Sequence, residues 1–412
     1  MPTKDKPLLI LTIASLGGFL FGYNTGIISG ALLFISKAFT LTSFQEGFLV
    51  SILLIGALLG AAFTGSFSDK RGRRFTLICN ALLFILGNII SAWASDIFLL
   101  SVGRLLTGFA VGVVSISAPL YLGEIAPTHR RGAFVSANQL AITVGILAAY
   151  GCNAYYSSTG DWRAMFALGI IPAALQFLGM LLLPESPLWM QRDKTASVPW
   201  KKLFSPSLRL PLLIGVGLSI FQQITGINTV IYYAPTIFKH AGYASTDSAI
   251  AATMGIGVIN VLATLLSVWL LDRWGRRALL LTGICGMFLS LATIGLAFLT
   301  FSSAIALLSI LSLMGYVAFF AIGLGPVTWV LLSEIYPLSL RGRAMGLATF
   351  ANWLFNFIVS LTFLDVMVKI TPAGTFLLYA LLSALSFWFV CAYVPETRGK
   401  TLAEIEAELI KK

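Results

Sequence analysis

Twelve stretches of this chain run for about 20 residues or more with almost no charge, which is the length needed to cross the hydrocarbon layer of a bilayer. They fall at 8–36, 46–67, 75–94, 98–122, 133–155, 163–183, 208–238, 248–271, 278–300, 304–332, 344–366 and 373–394. Over 412 residues only 10% are charged and 58% are hydrophobic, whereas a soluble domain carries roughly 25% charge. Too little polar surface remains to face water, so the sequence predicts an all-α protein whose solvent is lipid. The first stretch, Leu8 to Phe34, is longer than the roughly 7–15 residue core of a signal peptide and reads as an uncleaved span.

The net charge is +11, and its placement rules out a basic face for nucleic acid. Of the 27 Lys and Arg, all but five lie in the N-terminus and in every second loop. The exceptions are Lys37, Arg163, Lys239 and Lys369 in the alternate loops, and Arg104 inside a span. Cytoplasmic loops carry such an excess, so both termini are expected in the cytoplasm of a multi-pass protein of the cell membrane. The four cysteines, Cys79, Cys152, Cys285 and Cys391, have no CxxC spacing and read as small core residues. No Asn-x-Ser/Thr sequon occurs. The two histidines, His129 and His240, lie in loops and cannot assemble a nucleophile–base pair or a metal cluster. No enzyme activity, cofactor or metal is expected.

Polar signatures recur in one order. GSFSDKRGRR (65–74) returns as VWLLDRWGRR (268–277), Glu124 with Arg131-Gly132 as Glu334 with Arg341-Gly342, and PES (184–186) as PET (395–397). The positive-inside bias explains the arginines, but not the acids, the glycines or the shared order. Internal repeats of this kind mark transporter folds whose substrate site lies between the halves. The expected organisation is a six-helix bundle over 1–183, a short cytoplasmic linker with intracellular helices over 184–207, a second six-helix bundle over 208–394 and a tail helix over 395–412. In that tail Thr401 is the expected N-cap, with Glu404 three residues on.

The pattern D-x-x-G-R-R after spans two and eight resembles the loop signature of the major facilitator superfamily. E…RRG, PES, QQITGIN in span seven, GPVTW and SEIYP around span ten, and PETRGK after span twelve resemble its sugar porters. The resemblance covers nearly the whole chain. It implies twelve helices in two pseudo-symmetric bundles, alternating access, a monosaccharide substrate and a carrier that works as a monomer. It also implies that two sets of residues form ion-pair networks gating the inner face. These are Asp69, Arg73, Arg74, Glu124, Arg131 and Glu185, and Asp272, Arg276, Arg277, Glu334, Arg341 and Glu396.

Candidate sugar ligands are Gln139, Gln222, Gln223, Asn228, Asn260, Trp329, Asn352, Trp353 and Asn356. An amide donates and accepts at once, as a sugar hydroxyl does, and a Trp ring offers an apolar face to the C–H side of a sugar. The alternative for any one amide is interhelical packing. A broken helix is tolerated beside a cavity, and because these two segments bend to close the site in the family, the resemblance implies gating at Tyr232 and Tyr233 in span seven and Gly325 and Pro326 in span ten.

All sixteen Asp and Glu fall in loops, tails or helix ends, so no acid sits at mid-membrane to relay protons. In the family the proton-coupled bacterial carriers have Asp where this chain has Asn24, and the animal glucose facilitators have Asn. Xylose symporters have a second acid where this chain has Gly169. Arg104 matches the partner of the span-one acid, and its own partner is open at this stage. The reading is facilitated diffusion of glucose or a similar hexose, with proton symport of a hexose or xylose as the alternative. The pocket is mixed: Ala321 stands where the animal facilitators have Glu, and Ile146 where the xylose symporters have Gln. Leu188 replaces a customary Arg, and 184–207 is shorter than the usual intracellular domain. A membrane sugar sensor would carry a longer tail, and a drug exporter would lack QQITGIN and PETRGK.

Overall fold

A computed structural model describes residues 7–126, 131–191, 200–243, 245–300, 305–337, 340–400 and 402–411. Within these stretches the side chains of 7, 131–133, 200–201, 272, 402–403 and 410–411 are outside the description. The described residues form helices and turns without a strand. In chain order they are α1 (Pro7–Gly26), α2 (Ile28–Phe39), α3 (Ser43–Arg71), α4 (Arg73–Ala92), α5 (Ile97–Ile125), α6 (Arg131–Tyr155), α7 (Trp162–Ala167), α8 (Ile170–Leu182) and α9 (Pro187–Gln191). Two 3₁₀ turns, Trp200–Phe204 and Pro206–Leu208, lead into α10 (Arg209–Ile224) and α11 (Ile227–His240). Then follow α12 (Thr246–Trp274), α13 (Arg276–Thr300), α14 (Ile305–Ile322), α15 (Leu324–Glu334), α16 (Arg341–Tyr393) and α17 (Leu402–Lys411).

Among the described residues, 11 helical segments are long and apolar enough to cross a membrane. The last has 53 residues, about 80 Å if straight at 1.5 Å per residue, against a hydrocarbon layer of roughly 30 Å. Thr371 interrupts it at φ 65, ψ 161, immediately before Pro372. Proline lacks the N–H of a helical ladder and bars helical backbone at the residue before it. The 53 residues are therefore two spans, and twelve result. Four spans are themselves broken, between α1 and α2, α7 and α8, α10 and α11, and α14 and α15.

Helix starts follow local chemistry. Thr42 and Gln45 form a reciprocal capping box at α3, and Asp96 and Asp161 accept from the backbone N–H of Leu99 and Ala164 at the starts of α5 and α7. The expected cap of α17, Thr401, lies outside the described residues. Ile405 and Leu409 of α17 are buried, and Lys400 pairs with Glu408 on its exposed side.

The chain divides into two compact units, one of 1–193 with 231–236 and 245–257, the other of 194–230, 237–244 and 258–412. In the first unit α3 and α5 approach backbone to backbone. A Cβ on Gly56 or Gly60 would strike the carbonyl of Leu105 or Phe109, and one on Gly108 or Gly112 that of Leu53 or Ala57. Two small-xxx-small stripes thus face one another, the usual device for close helix contact in lipid. The outward faces are apolar: Leu82, Leu86 and Ile89 on α4, Ile171, Leu175 and Leu178 on α8, and Leu289, Leu296 and Leu299 on α13 are all exposed. Stripes of that extent suit lipid rather than water.

Candidate functional site

The repeated loop signatures build the same cluster twice. In the first unit Gly72 adopts φ 99 between α3 and α4, and the Glu185 carboxylate occupies the space its missing Cβ leaves. That carboxylate accepts from the backbone N–H of Arg73 at 2.9 Å and of Arg74 at 3.0 Å, the first two of α4. In the second unit Gly275 adopts φ 90, and Glu396 accepts from the N–H of Arg276 at 2.9 Å and of Arg277 at 3.0 Å at the start of α13. Each acid therefore neutralises the positive end of a helix. An L-residue with a side chain at either glycine would be strained and would meet the carboxylate.

The guanidinium groups divide into two kinds. Arg73, 4% exposed, donates to Asp69 at 2.8 Å, to Glu124 at 3.2 Å and to the Ser68 carbonyl at 2.9 Å. Arg276 donates to Glu334 at 2.8 Å and to the Leu271 carbonyl at 3.3 Å. The Ser186 hydroxyl donates to Glu124, and its counterpart Thr397 donates to Glu334 at 2.6 Å. Those hydroxyls were not among the expected site residues, although the third letters of PES and PET carried the signal. Arg74, by contrast, donates to the Met180 and Leu181 carbonyls at the end of α8, and Arg277 to the Cys391 carbonyl. Arg341 donates to the Tyr336 carbonyl at 3.3 Å.

Five of the twelve side chains expected in the ion-pair networks make their hydrogen bonds to the main chain. Glu185 and Glu396 hold helix N-termini, and Arg74, Arg277 and Arg341 hold main-chain carbonyls. Backbone groups near helix ends lack intrahelical partners and accept or supply these bonds, while Arg341 also feels the Glu334 charge. The side chains of Arg131 and Asp272 lie outside the described residues, as does His129.

Burial alone would raise the Glu396 carboxyl, but N–H donors from Arg398, Arg276, Arg277 and Thr397 hold it below the ordinary value of 4.5. A depressed native pKa contributes stability above the unfolded pKa, which is lost as pH falls through the native one. Acid below about pH 4.5 should therefore loosen the α13 end. Glu396→Gln should lower neutral-pH stability by about 1 kcal/mol, the scale of a charge at a helix N-terminus. It should also flatten that part of the acid limb. Thermal melts of detergent-purified protein from pH 3 to 7 measure both.

Inside the first unit Arg104 is 1% exposed and Asn24 is fully buried. The Arg104 Nη1 donates to the main-chain carbonyl of Asn24 at 2.9 Å, and its guanidinium stands 5.8 Å from the Phe166 ring centroid. The Asn24 side chain donates to the Leu20 carbonyl at 3.0 Å, one turn back on α1. Its Oδ1 and the Arg104 Nε have no hydrogen-bond partner among the described residues. No described carboxylate lies within 4.0 Å of Arg104. The partners left open by the sequence are thus a carbonyl and an aromatic face, with Tyr232 at electrostatic range and no carboxylate or imidazole among them. Gly169 leaves its Cβ space to Asn88 and Tyr23. Ile146 is buried on α6 against the backbone of Gly22 and Gly26.

In the second unit four of the predicted amides form one network. Gln222 Nε2 donates to the carbonyls of Leu324 at 2.8 Å and Gly325 at 3.2 Å, and its Oε1 accepts from Asn352 Nδ2 at 2.7 Å. Asn352 Oδ1 accepts from Gln223 Nε2 at 3.0 Å, and Gln223 Oε1 accepts from Asn228 Nδ2 at 2.7 Å. Asn352 Nδ2 also donates to the Ser219 carbonyl at 3.1 Å. The network spans the α10–α11 break, the start of α15 and the first half of α16. Gly325 is buried and Pro326 half-buried in the first turn of α15, after Gly323 leaves the helix at φ −104, ψ −97.

Asn260 on α12, Trp353 and Asn356 on α16 are buried, Trp329 on α15 is half-buried, and Asn356 accepts from the Ser360 hydroxyl at 3.1 Å. Ala321 is buried near the end of α14. Gln139 is half-buried on α6, in the first unit. Tyr232 and Tyr233 are buried and group with that unit too, where the Tyr150 hydroxyl donates to the neighbouring Ile231 carbonyl at 2.9 Å.

The family model described as sugar (and other) transporter matches residues 10–197 and 190–409. A D-xylose transporter of Levilactobacillus brevis is 41% identical, over 96% of this chain and 94% of that protein. A glucose transporter of Staphylococcus epidermidis is 39% identical, over 98% of each. Among solved structures, a D-xylose-proton symporter superposes with a TM-score of 0.84 at 37% identity, over 95% of this chain and 99% of the other.

Proposed function

This chain belongs to the sugar (and other) transporter family, and we propose that it carries an aldose down its gradient by alternating access, without moving a proton. It is a multi-pass membrane protein that transports a monosaccharide, not an enzyme. Glucose or a similar hexose is the first substrate assigned and xylose the second, in keeping with relatives named for each. We assign both termini to the cytoplasmic side of the cell membrane and the monomer as the working unit. The buried amides Gln222, Gln223, Asn228 and Asn352 supply uncharged donors and acceptors to ring hydroxyls. Asn260, Asn356, Trp329, Trp353 and Gln139 are likewise assigned to sugar contact, and Tyr232, Tyr233, Gly325 and Pro326 to gating. In the clusters at the loop signatures the buried Arg73 keeps Glu124 and the Ser68 carbonyl, since a buried charge left without partners costs several kcal/mol. The half-exposed Asp69, at 45%, is the contact cheap enough to break in each cycle.

One observation carries the downhill reading: the buried Arg104 rests on a main-chain carbonyl beside a neutral Asn24. Proton symport remains the second reading because a solved relative is a proton symporter. Uptake of labelled D-glucose and D-xylose into proteoliposomes separates the two. The expected result is equilibration, with the internal level reaching the external one and unaffected by a protonophore. Accumulation above the external level under an inward proton gradient, collapsed by the protonophore, would overturn it.

A further inference from the structure

Two helix breaks in the second unit are tied to each other. At the first, Gly226 stands at φ 94 between α10 and α11. The Thr225 carbonyl beside it accepts from the hydroxyl of Tyr316 at 2.9 Å, and Tyr316 belongs to α14. The Tyr379 ring lies 2.6 Å from where a Cβ on residue 226 would stand, so the turn is filled as well as bonded. At the second break, Pro326 has no N–H to offer the Ile322 carbonyl four residues back. The Ser267 hydroxyl of α12 donates to that carbonyl at 2.9 Å. Gln222, near the end of α10, donates across to the Leu324 and Gly325 carbonyls that open α15. Helix α14 thus holds the break after α10, while α10 holds the break after α14.

Neither break bends without disturbing a hydrogen bond owned by the other. Tyr316 and Thr225 are fully buried, so no surface water stands ready to replace the bond between them, and leaving such a group unmade is costly. Both donors of Gln222 are spent on α15 in this structure. A sugar hydroxyl that competes for Gln222 would therefore release α15 as it binds, and a ligand with such differential contacts shifts a conformational equilibrium.

We propose that Tyr316 is a positioning residue of the carrier. Its hydroxyl, acting through the Thr225 carbonyl, makes the α10–α11 and α14–α15 breaks bend together, so that sugar binding at the amides drives both. The proposal rests on the assignment of that amide cluster to sugar. It separates affinity from turnover, because Tyr316 itself touches no candidate ligand atom in the network described above.

The test compares wild type, Tyr316→Phe and Ser267→Ala, each purified and reconstituted. Calorimetric titration with D-glucose and with D-xylose gives the Kd and the fraction of competent protein, and counterflow gives the turnover of that fraction. Tyr316→Phe should leave Kd within about twofold and lower turnover about tenfold or more. Ser267→Ala, which frees the Ile322 carbonyl at the other break, should show the same split. Unchanged turnover in both variants would overturn the proposal, as would affinity lost in proportion to transport with turnover retained. If Tyr316→Phe is not recovered folded, Ser267→Ala decides by the same criteria. A wild type that neither binds nor carries either sugar would instead remove the proposed function.

Discussion

Asn24→Asp should convert a carrier indifferent to pH into one whose uptake falls as external pH rises. Position 24 is fully buried, and its Oδ1 and the Nε of Arg104 are both without hydrogen-bond partners among the described residues. A carboxylate there would gain the guanidinium as a counter-ion, in a setting where parting two charges costs several kcal/mol. The ionised variant would lock α1 against α5. Protonation would return it to an uncharged side chain close to the amide it replaced. Transport should follow the protonated fraction, falling as much as about tenfold per pH unit above the carboxyl's pKa. Initial uptake between external pH 5.5 and 8.0 should vary by less than about twofold in the wild type and by about fivefold or more in the variant. A flat profile in the variant would remove position 24 from any coupling role, and with it the main argument for passive transport.

How far the sequence reaches depends on whether a residue's partner is set by its type. The spans were legible because hydropathy alone decides them, and Thr371-Pro372 marks a boundary where α16 is otherwise continuous. The repeat was legible because the same acids, arginines and glycines return in order. The targets of those acids were not legible. Glu185 and Glu396 could satisfy either a guanidinium or a helix N-terminus, and only the placement of Gly72 and Gly275 beside them decides for the backbone. Arg74 and Arg277 pose the same ambiguity at helix C-termini.

The amides read as a group from composition, but their wiring did not. Nothing in QQITGIN states that Gln222 faces the carbonyls of Leu324 and Gly325. Tyr316 was invisible for a related reason. In a run as apolar as LSLMGYVAFFAIG a tyrosine reads as filler, and its hydroxyl acquires meaning only when a broken helix presents it with a carbonyl. Breaks in membrane helices release backbone groups that lipid cannot satisfy, so the side chains near them are where tertiary structure adds most to the sequence.

Asn352→Leu should have the largest effect on sugar recognition. Asn352 is the hub of the network: its Nδ2 donates to Gln222 and to the Ser219 carbonyl, and its Oδ1 accepts from Gln223. Leucine keeps the same branched four-atom outline, somewhat larger, so the packing of α16 against α10 is largely retained while three hydrogen bonds are lost. Gln222 Oε1 and Gln223 Nε2 then keep only the long 3.4 Å bond between them, in a site shielded from water. A buried polar atom left so poorly bonded costs up to about 1–3 kcal/mol. The two glutamines can lower that cost only by rotating toward each other, since Gln223 Nε2 already lies 3.4 Å from Gln222 Oε1. That rotation withdraws both from the positions a sugar would meet. The expected loss in kcat/KM is about 100-fold, equivalent to roughly 2.7 kcal/mol, and it should appear as weaker binding in equilibrium titration. Retention of affinity within about threefold would place the sugar elsewhere and leave the network a structural device that joins α10 to α16.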